Sequence, residues 1–293
     1  MIDYMRRREN LSFGEACQRL SGAPSLPARA PEAHPPKHER RWDRLTLEEQ
    51  VVMNTASAVY QHCLWREPRV LTYLRERGIP DWVIRECALG YADGYSLEAY
   101  LRRRSGLRTA QELGLLRKPG ACDGARPLSE HLAGRIVVPE IRGGQCIWFI
   151  GRALQENPDR PKYLALGGER PVLGFERAAG QCQVFLCEGV FDYLTAVSWK
   201  LPAFSPCGTH LPAERLGFLA RADAICGVLD GDEAGGEAAQ RFAQVLGRRW
   251  RALHLPDGCD LNDLARQPDG RKTFFRLLAD ARRPAPAEAR HGR

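Results

Sequence analysis

Acidic residues lie at or just after the ends of three hydrophobic segments in the second half of the chain. The positions are Glu188 and Asp192 for segment 183–188, Asp230 and Asp232 for segment 224–230, and Asp257, Asp260 and Asp263 for segment 251–255. If the segments are parallel strands, their carboxyl ends meet at one edge of a sheet, where functional groups collect. Clustered carboxylates repel one another, and burying them is costly unless a cation or a proton compensates. Mg²⁺ is typically held by one or two carboxylates with substrate phosphates, and two such ions can activate a hydroxyl and stabilise a leaving oxygen. The spacing therefore predicts a divalent-metal site for phosphodiester chemistry.

Each acidic motif has a simpler interpretation when it is taken alone. The Asp-Gly pair at 230–231 is typical of a turn, and Glu188 fits an ordinary acid at a strand end. The string DGDEAG also begins like a calcium-binding loop, but Ala234 and Arg241 stand at its fifth and twelfth positions, where that loop needs ligands. Acids at the ends of three segments of one sheet favour the metal site, and the glycines of DGDEAGG would let the backbone approach a phosphate.

The segments around these acids alternate between strand-like and helix-like patterns. Strand-like runs occupy 183–188, 202–206, 224–230 and 251–255, and helix-like runs occupy 191–200, 213–220 and 235–250. This alternation is typical of a parallel sheet covered by helices.

The first half of the chain has a different pattern. Residues 45–116 carry apolar positions three and four apart, which predicts helices. Two strand-like runs, 134–141 and 146–154, flank the pair Gly143-Gly144 and predict a β-hairpin.

Both ends of the chain differ from the regions between them. Residues 1–21 have the pattern of an amphipathic helix with a capping-box start at Ser12. Residues 22–43 are rich in proline and charge, which predicts a linker, and residues 283–293 predict a disordered tail.

The composition is that of an ordinary globular protein, with 44% hydrophobic and 27% charged residues among 293. No apolar run reaches the roughly 18 residues of a membrane span, and the N-terminus lacks the pattern of a signal peptide, so we expect no membrane partner. The net charge of +7 comes mostly from arginine. It fits a polyanionic partner and fits a genome rich in G and C equally well. The ten scattered cysteines include no C-x-x-C pair, which favours a reducing cytoplasm and argues against a zinc site.

The motifs together resemble a known family. CEGVFDYLTA and VLDGDEAGGEAA resemble the Toprim signature of a lone glutamate followed by D-x-D. The flanking strings YLRERGIPDWVIRECALGYADG, GRIVVPEIRGGQCIWFIGRAL, RPKYLALG, SPCGTHLPAERLGFL and LPDGCDLNDLARQ follow, in order, the landmarks of bacterial DnaG-type primases over roughly residues 45–280. The resemblance implies an α/β fold: a Toprim domain, which is a Rossmann-like parallel sheet with covering helices, preceded by a mixed α+β primase subdomain.

The resemblance also implies roles for individual residues. The matching metal ligands are Glu188, Asp192, Asp230, Asp232 and Asp260, and of these Glu188, Asp230 and Asp232 are the implied catalytic residues. Arg152, Lys162 and Tyr163 match residues that bind template and nucleotide; without the resemblance, Arg152 and Lys162 would be interpreted as solvated charges on a hairpin. The implied cofactor is Mg²⁺ or Mn²⁺, and the implied partners are single-stranded DNA and ribonucleoside triphosphates.

The chain also departs from the family pattern. We expect residues 1–21 to be the closing helix of a zinc ribbon that is otherwise absent, residues 44–178 and 179–282 to be the primase subdomain and the Toprim domain, and no helicase-binding domain to follow. A replicative helicase is still a candidate partner. Segment 167–178 is shorter than in the family and lacks its usual basic pair. Asn262 stands where the family usually has an acid, so we expect weaker binding of a second metal ion.

Three hypotheses for function follow. The leading one is a primase-type DNA-directed RNA polymerase that joins ribonucleotides on single-stranded DNA. The alternatives are a Toprim nuclease, in which the same acids activate water, and a non-catalytic primase relative of a mobile element that only binds single strands. A topoisomerase is disfavoured because a clamp domain hardly fits this length.

Overall fold

The computed structural model describes residues 42–118, 128–155, 160–208, 211, 213–230 and 233–281. The helix predicted for 1–21, the linker up to residue 41, the tail from 283 and the proposed ligand Asp232 lie outside the described residues.

Helices predominate in the first part of the described chain. They are α1 (Leu47–Trp65), α2 (Pro68–Glu76), α3 (Asp81–Glu86), α4 (Ser96–Arg102) and α5 (Leu107–Glu112). Helix α1 begins at a capping box, in which Thr46 Oγ1 accepts from the N–H of Glu49 and the Glu49 carboxylate accepts from the N–H of Thr46.

An antiparallel sheet packs against the helices. Its order is β1 (Gly90–Ala92), β4 (Arg135–Arg142), β5 (Gln145–Ala153) and β6 (Tyr163–Ala165); a separate short pair consists of β2 (Leu116–Arg117) and β3 (Ser129–Glu130). The predicted hairpin is β4–β5, and its turn places Gly143 and Gly144 at φ values of +55° and +72°, which glycine adopts at no steric cost. Helix α1 covers one face of β5, where Phe149 meets Tyr60 edge to face.

A parallel sheet forms the second part of the chain, as the alternating pattern predicted. The strands are β7 (Gln183–Cys187), β8 (Ala203–Phe204), β9 (Ala224–Leu229) and β10 (Trp250–His254), in the order β10-β9-β7-β8. The helices are α6 (Phe175–Ala178), α7 (Val190–Ser198), α8 (Glu233–Leu246), α9 (Leu261–Ala265) and α10 (Gly270–Ala281). The predicted fold class, a parallel sheet with covering helices preceded by a mixed α+β region, is confirmed.

The two faces of the parallel sheet belong to different parts of the core. Phe185 and Val228 lie in the large cluster that also contains α1 and β5, whereas Val184 and Trp250 lie in a smaller cluster beneath α8. The indole of Trp250 lies against Gly227, where an added Cβ would be only 2.0 Å from the ring. Because the large cluster spans both sheets, the helices and antiparallel sheet of the first part pack with the parallel sheet on a shared core.

Some details differ from the pattern-based prediction. The helix-like run 235–250 ends as α8 at Leu246, and Trp250 already belongs to β10. The helix expected at 213–220 is a 3₁₀ helix, Ala213–Leu219, and strand β1 interrupts the region predicted to be helical. Strand β1 is only three residues long, too short for an alternating pattern to reveal it. Within the described part of the chain, every helix is too short or too polar to cross a membrane. The eight described cysteines carry free thiols, five of them buried.

Candidate active site

A cavity of about 270 Å³ lies where the carboxyl ends of the parallel strands face the antiparallel sheet. Acidic residues of the second half line one side of it, namely Glu188, Asp192, Asp230 and Asp260. The other side is lined by residues of the helices, of the antiparallel sheet and of the segment after β6. They include Arg77, Arg152, Lys162, Tyr163 and Arg170. The cavity therefore brings together all of the predicted site residues that the structure describes.

The acids reach the cavity from different elements. Glu188 directly follows β7, and Asp230 directly follows β9. Asp192 lies in the first turn of α7, and Asp260 is the N-cap of α9, where its carboxylate accepts from the N–H of Asp263 at 2.6 Å. Strands β7 and β9 are hydrogen-bonded neighbours, which explains why acids 42 positions apart in the sequence line one space.

Asp192 is the most strongly perturbed of these acids. It is only 5% exposed, and burial together with the negative charges of Asp260 and Asp230 raises its pKa to about 7. The N–H of Asn262 donates to its Oδ1 at 3.0 Å, which favours the ionised form. Gly189 packs so closely that an added Cβ would lie 2.5 Å from Asp192 Oδ2. Asp192 is therefore held rigidly in a place where a cation would relieve the repulsion.

Arg152 is held on three sides by aromatic residues. Its Nε donates to the Tyr73 hydroxyl at 3.1 Å, and its Nη1 donates to the Tyr163 hydroxyl at 2.7 Å. Its guanidinium lies 4.6 Å from the ring centroid of Phe191, the neighbour of Asp192. Arg152 is only 5% exposed, so it is a fixed, desolvated cation and not the solvated hairpin charge that a reading without the resemblance would give.

Lys162 is placed by its backbone. Its carbonyl accepts from the N–H of Ala153 at 2.9 Å and from Nη1 of Arg135 at 3.1 Å, while Nη2 of Arg135 donates to the carbonyl of Pro161 at 2.8 Å. The Lys162 side chain is exposed. Lys162 and Arg152 thus line the same cavity, and two cations of different shape suit the binding of a phosphate chain.

Sequence reasoning assigned no role to Tyr73, Arg77, Arg170 or Phe191. Arg77 stands at the C-cap of α2, and its guanidinium lies 5.8 Å from the Tyr73 ring centroid and 6.0 Å from that of Phe191. Arg170 lies in the shortened segment 167–178. Their spacing in the sequence carried no signal, because their proximity to the acids depends on how the two sheets pack.

The donor set fits a hard divalent cation. The four described acids offer only carboxylate oxygens, which Mg²⁺ and Mn²⁺ prefer over softer ligands. Among the acidic, histidine and cysteine side chains that the structure describes, no three converge closely enough to hold an ion by themselves. Asp232, two residues after Asp230, is outside this set. The raised pKa of Asp192 supports the fit, since neighbouring carboxylates cause part of it.

Two family models match the chain in succession. The N-terminal domain of the DNA primase catalytic core matches residues 59–168, and a Toprim-like domain matches residues 185–265. The DNA primase of Listeria monocytogenes is 27% identical over 299 residues, which cover 91% of this chain and 46% of that protein. The chain thus spans about half the length of the curated relatives it matches.

Solved structures show the same fold. The structure of the zinc-binding and RNA polymerase domains of the Aquifex aeolicus primase superposes with a TM-score of 0.70 at 23% identity. The match covers 95% of this chain and 70% of the Aquifex aeolicus chain. A DnaG primase catalytic domain bound to single-stranded DNA gives a TM-score of 0.65 at 24% identity, with 80% of this chain and 81% of that one covered.

Proposed function

We propose that the chain is a catalytic core of the DnaG primase type and that it joins ribonucleotides on a single-stranded DNA template by metal-dependent nucleotidyl transfer. The observation that carries this proposal is the shared cavity, in which Arg152 and Lys162 face Asp192 and Asp260. A site with cations on one side and carboxylates on the other suits a nucleoside triphosphate that binds together with divalent metal.

Each side of the cavity has its own task in the proposed reaction. Arg152 and Lys162 bind the triphosphate, and Tyr73 and Tyr163 keep the Arg152 guanidinium in one orientation. Glu188, Asp230 and Asp232 are the proposed catalytic carboxylates, and together with Asp192 and Asp260 they would hold Mg²⁺ or Mn²⁺. Bound metal would supply activation of the 3′ hydroxyl and stabilisation of the pyrophosphate that leaves. The chain's own contribution is orientation and charge placement, which phosphoryl transfer mainly requires.

The template is proposed to be single-stranded DNA. The likeness to a primase catalytic domain bound to single-stranded DNA supports this choice, as does the net charge of +7. We also propose that the two domains span residues 44–178 and 179–282. A replicative helicase is the proposed protein partner, and the cytoplasm is the proposed location.

A paired assay separates synthesis from cleavage. End-labelled single-stranded DNA and plasmid are first incubated with Mg²⁺ or Mn²⁺ alone, and then ribonucleoside triphosphates are added with a labelled nucleotide as tracer. We expect intact DNA in the first step and alkali-labile product in the second. DNA shortened without nucleotides would instead favour a nuclease, and binding that survives EDTA without synthesis under any condition would favour a non-catalytic binder.

The matched variants are Asp260→Asn and Asp269→Asn. Asp260 lines the cavity, whereas Asp269 is an exposed acid that pairs with Lys272 at 3.0 Å. Synthesis should fall at least about tenfold in Asp260→Asn only, because one lost ligand interaction worth ~1.4 kcal/mol is a factor of ten.

A further inference from the structure

Asn262 is completely buried beside the cavity and connects three elements. Its Nδ2 donates to the carbonyl of Arg77 at 2.8 Å and to Thr195 Oγ1 at 2.9 Å. Its Oδ1 accepts from Nη1 of Arg77 at 3.3 Å, and its backbone N–H donates to Asp192 Oδ1 at 3.0 Å. One residue therefore contacts both a cation and an acid that line the cavity.

The side-chain contacts of Asn262 require an amide, whereas the contact with Asp192 uses the backbone N–H. The carbonyl of Arg77 lies at the C-terminal end of α2, where helical carbonyls lack intrahelical partners and need a donor. The guanidinium of the same residue needs an acceptor, since guanidinium groups only donate. An amide meets both needs at once, whereas an ionised carboxylate would present oxygen to the carbonyl of Arg77.

We propose that Asn262 is a positioning residue that fixes Arg77 and Asp192 across the cavity, and that it is not a metal ligand. Its Oδ1 faces the Arg77 guanidinium, and a group already facing a fixed cation is a poor site for a second cation. The guanidinium also approaches Asp263 Oδ1 at 3.6 Å, so two acceptors near α9 hold it. This inference rests on the proposed function, because it assigns Arg77 to the nucleotide side of the site.

Thr195 allows the proposal to be tested without changing any residue that lines the cavity. It is buried on α7, and its hydroxyl contacts Asn262 Nδ2. Thr195→Val keeps the shape of the side chain and removes the hydroxyl, while Thr195→Ser keeps the hydroxyl. Both are compared with Asn262→Ala and Asp260→Asn in the full chain. Two equilibrium readouts are used: Mn²⁺ alone by calorimetry, and a fluorescent ATP analogue in Mn²⁺.

Positioning and ligation predict different patterns. We expect Thr195→Val to weaken nucleotide binding about three- to tenfold and Thr195→Ser to bind the nucleotide like the wild type. The Mn²⁺ affinity of both Thr195 variants and of Asn262→Ala should stay within about twofold of that of the wild type. Asp260→Asn should weaken Mn²⁺ binding. The proposal would be overturned if Asn262→Ala bound Mn²⁺ as weakly as Asp260→Asn does. It would also be overturned if Thr195→Val bound the nucleotide as tightly as the wild type. Neither the Mn²⁺ titration nor the nucleotide titration needs turnover. If the wild type makes no RNA, that result counts against the proposed function and leaves the test of Asn262 intact.

Discussion

The guanidinium of Arg152 lies 4.6 Å from the ring centroid of Phe191. Arg152 is on β5 of the antiparallel sheet, and Phe191 is on α7, the helix that follows β7 of the parallel sheet, so this contact links the two parts of the chain beside the cavity. Because Phe191 precedes Asp192, the same turn of α7 presents an aromatic surface to the cation and a carboxylate to the acidic side. The site is thus assembled by the packing of two sheets, and its geometry should respond to changes in residues that contact Arg152.

Removing the Tyr73 hydroxyl should impair nucleotide binding. Tyr73→Phe keeps the ring but leaves Nε of the buried Arg152 without the acceptor it now has at 3.1 Å. A hydrogen bond to a charged group contributes about 1.5–3 kcal/mol, so KM for the nucleotide should rise about tenfold or more while kcat changes less. Tyr91→Phe, on β1 and away from the cavity, is the matched control and should leave KM unchanged. Equal KM values in all three proteins would show that Tyr73 does not position Arg152.

The raised pKa of Asp192 predicts a defined pH dependence of stability. Because its pKa of about 7 in the folded chain is above the usual value of 3.8, the folded state binds the proton more tightly than the unfolded state does. The contribution of protonated Asp192 to the free energy of unfolding is therefore fully present below about pH 4 and is lost as the pH rises through 7.

Divalent metal should reverse this loss. Mg²⁺ competes with the proton on Asp192, so the increase in Tm on adding Mg²⁺ should be larger at pH 8 than at pH 6. Thermal melts at the two pH values measure this difference, and Asp192→Asn should reduce it. If Mg²⁺ raises Tm by the same amount at both pH values, Asp192 does not bind the metal.

The contact between Gly227 and Trp250 tests the register of strands β9 and β10. Gly227→Ala would place a methyl group 2.0 Å from the indole, and such overpacking costs about 1–3 kcal/mol. Urea unfolding should therefore show a clear loss of stability. In the Trp250→Leu background the same substitution should cost much less, because the ring that it meets is gone. If the cost is equal in both backgrounds, the strands do not pair as described here.

The sequence predicted the edge of the sheet that carries the acids, because Glu188 and Asp230 directly follow apolar strands with a recognisable pattern. It also predicted the β4–β5 hairpin through Gly143-Gly144. It could not predict the strand order, since a periodic pattern describes one strand and not its neighbours. Nor could it predict the part that Tyr73 and Arg77 play, because these residues reach the cavity only through the packing of α2 against α7 and α9.

Asn262 shows a further limit of reasoning from sequence. From the sequence, its amide suggested a weaker ligand for a second metal ion. The structure places that amide between Arg77 and Thr195, a role that depends on a helix end 185 positions earlier in the chain. A substitution within a motif thus acquires its meaning from contacts outside the motif.

The most direct test of the central claim is template-dependent incorporation of α-³²P-labelled ATP on poly(dT) with Mg²⁺. The wild type is compared with the double variant Asp230→Asn/Asp232→Asn and with Asp269→Asn. The proposed function predicts short, alkali-labile product from the wild type and from Asp269→Asn, and none from the double variant or in EDTA. Equal product from the wild type and the double variant would contradict it.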